Sequence, residues 1–313
     1  MSASLPLLLP SPSPSSSSPP SLVLSFTEHS ESDASTTYPL VRVVCEQHTT
    51  AGIDVHIADS PAYGRMLFLD GELQSAAADE HVYHESLVHP AMALGNSRER
   101  VLVVGGGEGA TVREVVRWWG SVMHVDWVDF DGELVDLCAK HLGWAPDVRN
   151  HPVVHFHAMD IRIAWPLLKA EYDVIILDLP DPDGDTGYLY STEFWNTVKE
   201  RLAPGGRIVT HCGPVRPFGR VGEGFQRIRS VLGSGSDPSY PDCRGFYRIG
   251  IPSFQGDWGF WLWRSDGPAF NIPDSVTQEW MIRMPLGLKV VDEEQIREWI
   301  RSTRLWRQAV RDA

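Results

Sequence analysis

Short runs of alternating apolar and polar residues open the patterned part of the chain. Leu40–Val44 is rich in β-branched residues, Gly52–Ile57 alternates with a period of two, and Met66–Leu69 runs into Asp70-Gly71. Successive side chains of a strand point to opposite faces, so these runs predict strands, with a turn at Asp70-Gly71. Together they predict a small β unit over about residues 38–77. The period then changes. Across Asp79–Leu94, Val82, Ser86 and His89 fall at helical spacing, and the predicted helix ends at or soon after Pro90.

From residue 101 strands and helices alternate. The apolar run Val101–Val104 enters Gly105-Gly106-Gly107-Glu108-Gly109, followed by a predicted helix over Thr111–Trp118. His124–Val128 ends in Asp129 ahead of a helix over Glu133–His141. Val153–Phe156 precedes Asp160, and Val174–Leu177 ends in Asp178. A helix over Thr192–Leu202 leads through Pro204-Gly205-Gly206 into Arg207–His211. Such alternation predicts an α/β domain with a parallel sheet. Acidic residues recur at the carboxyl ends of the strands, where open sheets of this class bind ligands. Trp258, Trp261 and Trp263 sit in a later strand and read as sheet packing, with Trp261 and Trp263 on one face. His155 and His157 read as strand residues rather than ligands. Glu293–Arg311 reads as a terminal amphipathic helix with a solvated basic face.

Composition narrows the function. The chain has 313 residues, 27 Lys+Arg and 41 Asp+Glu, for a net charge of −14. That balance argues against a nucleic-acid or anionic-membrane partner and suits a cationic substrate, which a negative field attracts. No run approaches the ~20 apolar residues of a membrane span. Cys45, Cys138, Cys212 and Cys243 are widely separated and read as reduced thiols of a cytoplasmic protein. Residues 1–37 are dominated by Ser and Pro, cannot build a core, and read as a disordered tail.

The glycine loop carries the first chemistry. It lacks the Lys-Ser/Thr of a nucleotide P-loop. Glu108 places a carboxylate where a dinucleotide's pyrophosphate would sit, and two anions there would repel. Asp129 is placed to accept from ribose hydroxyls, and Asp160 from an adenine amino group. A sulfonium nucleoside fits these three acids; a nicotinamide cofactor or a purely structural loop remain the alternatives for the loop alone. The acidic run Asp178-Leu179-Pro180-Asp181-Pro182-Asp183-Gly184-Asp185 is either a solvated turn or a set of carboxylates that hold an ammonium and take its proton. No metal-ligand spacing appears.

Six blocks, in order, resemble the polyamine aminopropyltransferases, the spermidine and spermine synthase family. They are Leu69–Ser75, Asp79–Glu85, Gly105–Gly109, Asp178–Pro182, Leu189–Ser191, and Ile251–Phe254 with Trp258–Phe260. Leu73-Gln74-Ser75, Tyr83–Pro90 and Pro252-Ser253-Phe254 are most similar to the thermospermine synthases. The resemblance implies a Rossmann-like, methyltransferase-type sheet behind a small N-terminal β domain. It implies boundaries at residues 1–37 (tail), 38–98 (β domain and linking helix), 99–270 (catalytic domain) and 271–313 (helical tail).

It also implies transfer of the aminopropyl group of decarboxylated S-adenosylmethionine to spermidine, giving thermospermine and methylthioadenosine, with no prosthetic group and no metal. A spermidine or spermine synthase acting on another amine such as putrescine, or an S-adenosylmethionine methyltransferase on the same fold, are the alternatives. Gln74, His84, Gly105, Gly107, Glu108, Asp129 and Asp160 would hold the donor. Asp178 and Tyr83 would be catalytic, and Asp181, Tyr83 and Phe254 would line the amine site. A homodimer or homotetramer is implied too. Against the usual spermidine synthase pattern, Leu179-Pro180 stands between the two aspartates, Phe254 replaces a tyrosine, Asp129 replaces a glutamate, and Ile161 follows Asp160.

Overall fold

The computed structural model describes residues 24–29, 35–95, 97–168, 171–182, 184–215, 223–232, 245–264, 284–292 and 294–299. Ser25–His29 (β1) and Ser35–Pro39 (β2) pair as antiparallel strands. This corrects the disordered tail expected over residues 1–37, whose part beyond residue 23 includes ordered chain. Phe26 stacks on Phe68 at 4.0 Å, and Tyr38 packs on the same ring. Two aromatic anchors bury enough area to fix strands that the Ser/Pro-rich average conceals. Residues 1–23 lie outside the described residues, as do Asp183, Cys243 and the basic positions Arg301–Arg311.

Arg42–His48 (β3), Asp54–Ser60 (β4), Gly64–Leu69 (β5) and Glu72–Ala76 (β6) form a four-stranded antiparallel sheet. Asp70 and Gly71 both have positive φ (50° and 91°), the backbone that a two-residue hairpin needs to follow strand twist. One sheet face buries Val55, Ile57 and Leu67 against Leu134, Cys138 and Leu142, on and just beyond the helix Gly132–His141. Asp131 caps that helix by accepting from the Glu133 and Leu134 amides, and the Thr49 hydroxyl donates to it at 2.5 Å. The small sheet is thereby fixed to the helix of the α/β part at a buried terminus.

Glu80–Ala93 (α1) links the two sheets and continues three residues past Pro90. A proline inside a helix has no N–H for the carbonyl four residues earlier, here that of Ser86. The buried Tyr247 hydroxyl donates to that carbonyl at 2.7 Å. Tyr247→Phe is therefore expected to cost about 1–3 kcal/mol by stranding a buried acceptor. Urea unfolding measures this, and an unchanged midpoint would contradict it.

The main sheet joins Arg100–Gly105 (β7), His124–Asp129 (β8), Val154–Ala158 (β9), Tyr172–Asp178 (β10), Leu202–Val215 (β11), Phe246–Ile251 (β12) and Gly256–Arg264 (β13). Its order is β12-β13-β11-β10-β7-β8-β9, parallel from β11 to β9 and antiparallel at β12 and β13. Val101 and Val103 face one core, while Leu102 and Val104 face the other. That is why β7 reads as an unbroken apolar run. The first core is covered by α1, Ala110–Val116 (α2) and residues 284–292 and 294–299, including Ile296 and Trp299. The second is covered by Ile161–Ala164 (α4), Thr192–Glu200 (α5) and Glu223–Leu232 (α6), α3 being Gly132–His141. Residues 294–299 are helical, and the rest of the expected terminal helix lies outside the described residues. This is the expected doubly covered α/β sheet behind a small β sheet.

Candidate active site

Strand β7 ends in Gly105, which pairs with Asp178 at the end of β10. Gly105 has φ 81°, and a Cβ there would lie 2.0 Å from the Asp178 carbonyl oxygen. The Gly106 amide donates to that same oxygen at 3.0 Å. A Cβ on Gly107 would lie 3.0 Å from Asp129 Oδ2. Missing side chains thus let three strand ends converge.

The Asp178 carboxylate is held from both sides. Its Oδ1 accepts from the Tyr83 hydroxyl at 2.7 Å, and its Oδ2 from the Thr111 hydroxyl at 2.6 Å. Tyr83 comes from α1 and Thr111 from the first turn of α2. Burial, and then the charges of Asp178, Glu108 and Asp181, push the Tyr83 phenol well above its usual range. Tyr83 therefore stays a hydrogen-bond donor to the Asp178 carboxyl group.

Beside this clamp, Glu108 Oε1 lies 2.5 Å from His84 Nε2. His84 Nδ1 lies 2.6 Å from the Glu80 carbonyl and 3.0 Å from Glu80 Oε2. Both ring nitrogens face acceptors that cannot donate, so both carry protons and His84 is an imidazolium. Burial opposes that charge, but Glu108 and Glu80 outweigh it and raise the pKa to about 10. Glu108 is thus a neutralised partner of His84 rather than the lone anion its place in the loop suggests. Its Oε2 is buried and has no hydrogen-bond partner among the described residues. A buried carboxylate oxygen without a donor is costly, and a bound cation would satisfy it.

Asp129, the last residue of β8, is buried and accepts from the Asp131 amide at 2.9 Å. Burial and the neighbouring charges of Asp131 and Asp178 outweigh that hydrogen bond and raise its pKa to about 7. The sign follows: charging Asp129 costs folding stability as pH rises from the ordinary carboxylate range through about 7. Asp129→Asn is expected to have a higher Tm than the parent above pH 7, with the gap closing as pH falls toward 4. A gap independent of pH in calorimetry would contradict this origin.

Two expected donor residues are held by their own neighbours. Asp160 caps α4 and pairs with Arg162 at 2.6 Å, and Tyr188 also donates to it. An adenine amino group would have to displace the exposed Arg162 to reach this carboxylate. Gln74 is exposed on β6, with its amide 3.4 Å from the Glu72 carbonyl. Asp181 is exposed beyond Leu179 and Pro180, yet near enough for its charge to raise Tyr83. Phe254 packs edge-on to Tyr83 and 4.7 Å from the Trp258 ring. The Ser253 amide donates to Asp79 at 2.7 Å and the Tyr38 hydroxyl to the Ser253 carbonyl at 3.1 Å.

Thr111, His211 and Arg113 were not singled out in the sequence; Glu80 stood there only within the block Asp79–Glu85, and Trp258 only as a sheet-packing residue. His211 donates to the Leu179 carbonyl at 2.5 Å and stacks on Trp258. Trp258 therefore joins the wall beside Tyr83, whereas Trp261 is core and Trp263 packs against that same core, as expected. His157 donates to Asp126 and His155 stacks on His124, so both are strand residues with local partners. The described residues contain no group of His, Cys, Asp or Glu able to hold a metal ion, and no helix among them is long and apolar enough to cross a membrane.

Residues 80–215 match the spermine/spermidine synthase domain. The chain is 38% identical over 261 residues to polyamine aminopropyltransferase 2 of Hyperthermus butylicus, covering 76% of this chain and 82% of that protein. It is 32% identical over 226 residues to thermospermine synthase ACAULIS5 of Arabidopsis thaliana, covering 71% of this chain and 64% of that one. A crystal structure of a spermidine synthase in complex with the transition-state analogue AdoDATO has the same fold, with a TM-score of 0.76 at 23% identity over 90% of this chain and 93% of that one.

Proposed function

Since the chain belongs to the polyamine aminopropyltransferase family, we propose that it moves the aminopropyl group of decarboxylated S-adenosylmethionine onto spermidine, giving thermospermine and methylthioadenosine. The observation that carries the reading is the Asp178 carboxylate, gripped by Tyr83 and Thr111, next to the unpartnered Glu108 Oε2.

In this reading Glu108 Oε2 takes the donor's ammonium, and Asp129 takes the ribose hydroxyls. His84 neutralises Glu108 from behind, so a carboxylate on the donor would gain nothing from it. The acceptor amine arrives as an ammonium, which has no lone pair. Asp178 accepts one of its protons, and Tyr83 and Thr111 aim the two carboxylate oxygens. The freed nitrogen attacks the carbon beside the sulfonium. The carbon–sulfur bond breaks, its electron pair goes to sulfur, and neutral methylthioadenosine leaves. The new secondary amine keeps its remaining protons, and the proton on Asp178 passes to water. Holding both partners in line supplies much of the acceleration.

The wall of Phe254 and Trp258 suits a run of methylenes and Asp181 at the exposed end suits a second ammonium, features that spermidine and putrescine both supply, so the choice of spermidine rests on the sequence block beside this wall. The Pro252-Ser253-Phe254 block resembles thermospermine synthases in the same region. A homo-oligomer in the cytoplasm is part of this proposal. Steady-state assays with spermidine and putrescine, and fragmentation mass spectrometry of the product, test the choice. A kcat/KM for spermidine at least tenfold above that for putrescine, with thermospermine as product, is the expected result. Preference for putrescine, or spermine as product, would overturn it.

A further inference from the structure

The charges behind Glu108 form an ordered series between α1 and α2. Glu108 meets His84, and His84 meets Glu80. The Arg113 guanidinium grips both Glu80 oxygens, at 3.1 Å and 2.8 Å. Arg113 is itself fixed by donating to Glu114 at 2.9 Å and to the Trp144 carbonyl at 3.0 Å. Glu114 is held further by Arg117 at 2.8 Å and by His89 at 2.9 Å. Trp118 donates to His89 Nδ1, and His89 Nε2 faces Glu114. Glu80, His84, Glu85, His89 and Glu114 are all buried.

We propose that Glu80 and Arg113 are positioning residues for donor binding: they keep both protons on His84, and so fix which Glu108 oxygen is left to receive a cation. This inference rests on the donor-binding reading of Glu108. The physical need is specific. The Glu80 backbone carbonyl alone would hold a proton on Nδ1 of a neutral imidazole. The Nε2 lone pair would then face the Glu108 carboxylate at 2.5 Å, and the two would repel. A second carboxylate beside Nδ1 makes the imidazolium the stable form, and the Arg113 fork prevents that carboxylate from turning away. The titratable and charged groups facing His84 are Glu80 and Tyr83 of α1 and Glu108 of the glycine loop, with Arg113 of α2 and Asp178 of β10 one layer out.

Above the titration of Asp129 near 7, the donor KM of the wild-type protein is expected to stay flat from pH 8 to 9 and to rise only near pH 10, where His84 loses its charge. In the isosteric Glu80→Gln variant this limb moves down by about two pH units. Its donor KM at pH 9 is then raised about tenfold, while the amine KM stays within threefold of wild type. Arg113→Lys keeps a cation beside Glu80 and is expected to keep most of the wild-type limb. Independently of turnover, 15N NMR of the imidazole at pH 8.5 is expected to show two protonated nitrogens for His84 in wild type and one in Glu80→Gln. Identical donor limbs and identical His84 spectra in wild type and Glu80→Gln would overturn the inference. If Glu108→Gln raises the donor KM while Glu80→Gln changes nothing, only the positioning role fails. If Glu108→Gln itself leaves the donor KM unchanged, the reading of the donor site fails first.

Discussion

Replacing Asp178 by Asn lowers kcat on the order of 10²–10⁴-fold, the usual contribution of a positioned general base, and leaves donor affinity within a few-fold. The side-chain volume is nearly unchanged, so the β7–β10 contact at Gly105 survives. What changes is the chemistry of the atoms facing Tyr83 and Thr111. Both hydroxyls donate to the carboxylate, one to each oxygen. An asparagine can accept from only one of them, and its amide group turns a donor toward the other. No group is then left to take the ammonium proton. Single-turnover formation of methylthioadenosine, followed beside calorimetric binding of the donor, separates chemistry from affinity. A kcat within threefold of wild type would show that another group removes the proton.

Gly105→Ala is expected to destabilise the protein by about 2–5 kcal/mol and to abolish turnover. The left-handed backbone at φ 81° costs an alanine about 1–2 kcal/mol. The added Cβ would meet the Asp178 carbonyl oxygen at 2.0 Å, and that atom belongs to a central strand that has no rotamer to change. Forced overpacking typically costs another 1–3 kcal/mol. Relief requires the ends of β7 and β10 to part, which carries Asp178 away from Tyr83 and Thr111. Gly120 is the matched control, since its φ is 83° but nothing lies within 4 Å of its would-be Cβ. Gly120→Ala should show the backbone cost alone. Equal urea midpoints for the two variants would contradict the steric argument.

The main sheet was legible because its strands are apolar on both faces and end in acids, and because the glycine loop interrupts β7 abruptly. The acids Glu108, Asp129 and Asp178 were legible for the same reason, since strand-end position is a property of the one-dimensional pattern. The hairpin of β1 and β2 was not. Its burial rests on Phe26 and Tyr38 finding Phe68, a contact between distant segments. The helix running to just past Pro90 was legible, but not the donor that Tyr247, far along the chain, supplies to the Ser86 carbonyl.

Thr111, Glu80 and Arg113 carry no sequence signal of their own. A threonine or a charge pair in an amphipathic helix looks the same whether it faces solvent or a buried carboxylate. Tertiary placement decides, and here it places Thr111 on Asp178 and Arg113 on Glu80. Glu108 shows the converse. Its location could be read from the loop, but its electrostatic character depends on His84, which arrives from α1.

The most direct test follows the transferred group. The purified protein is given decarboxylated S-adenosylmethionine labelled with ¹³C in the aminopropyl chain and, separately, on the methyl carbon, together with spermidine. The account predicts that the aminopropyl label appears in a larger polyamine while the methyl label leaves in methylthioadenosine, in equal amounts. Methyl label in the polyamine, or no thioether nucleoside released, would contradict it.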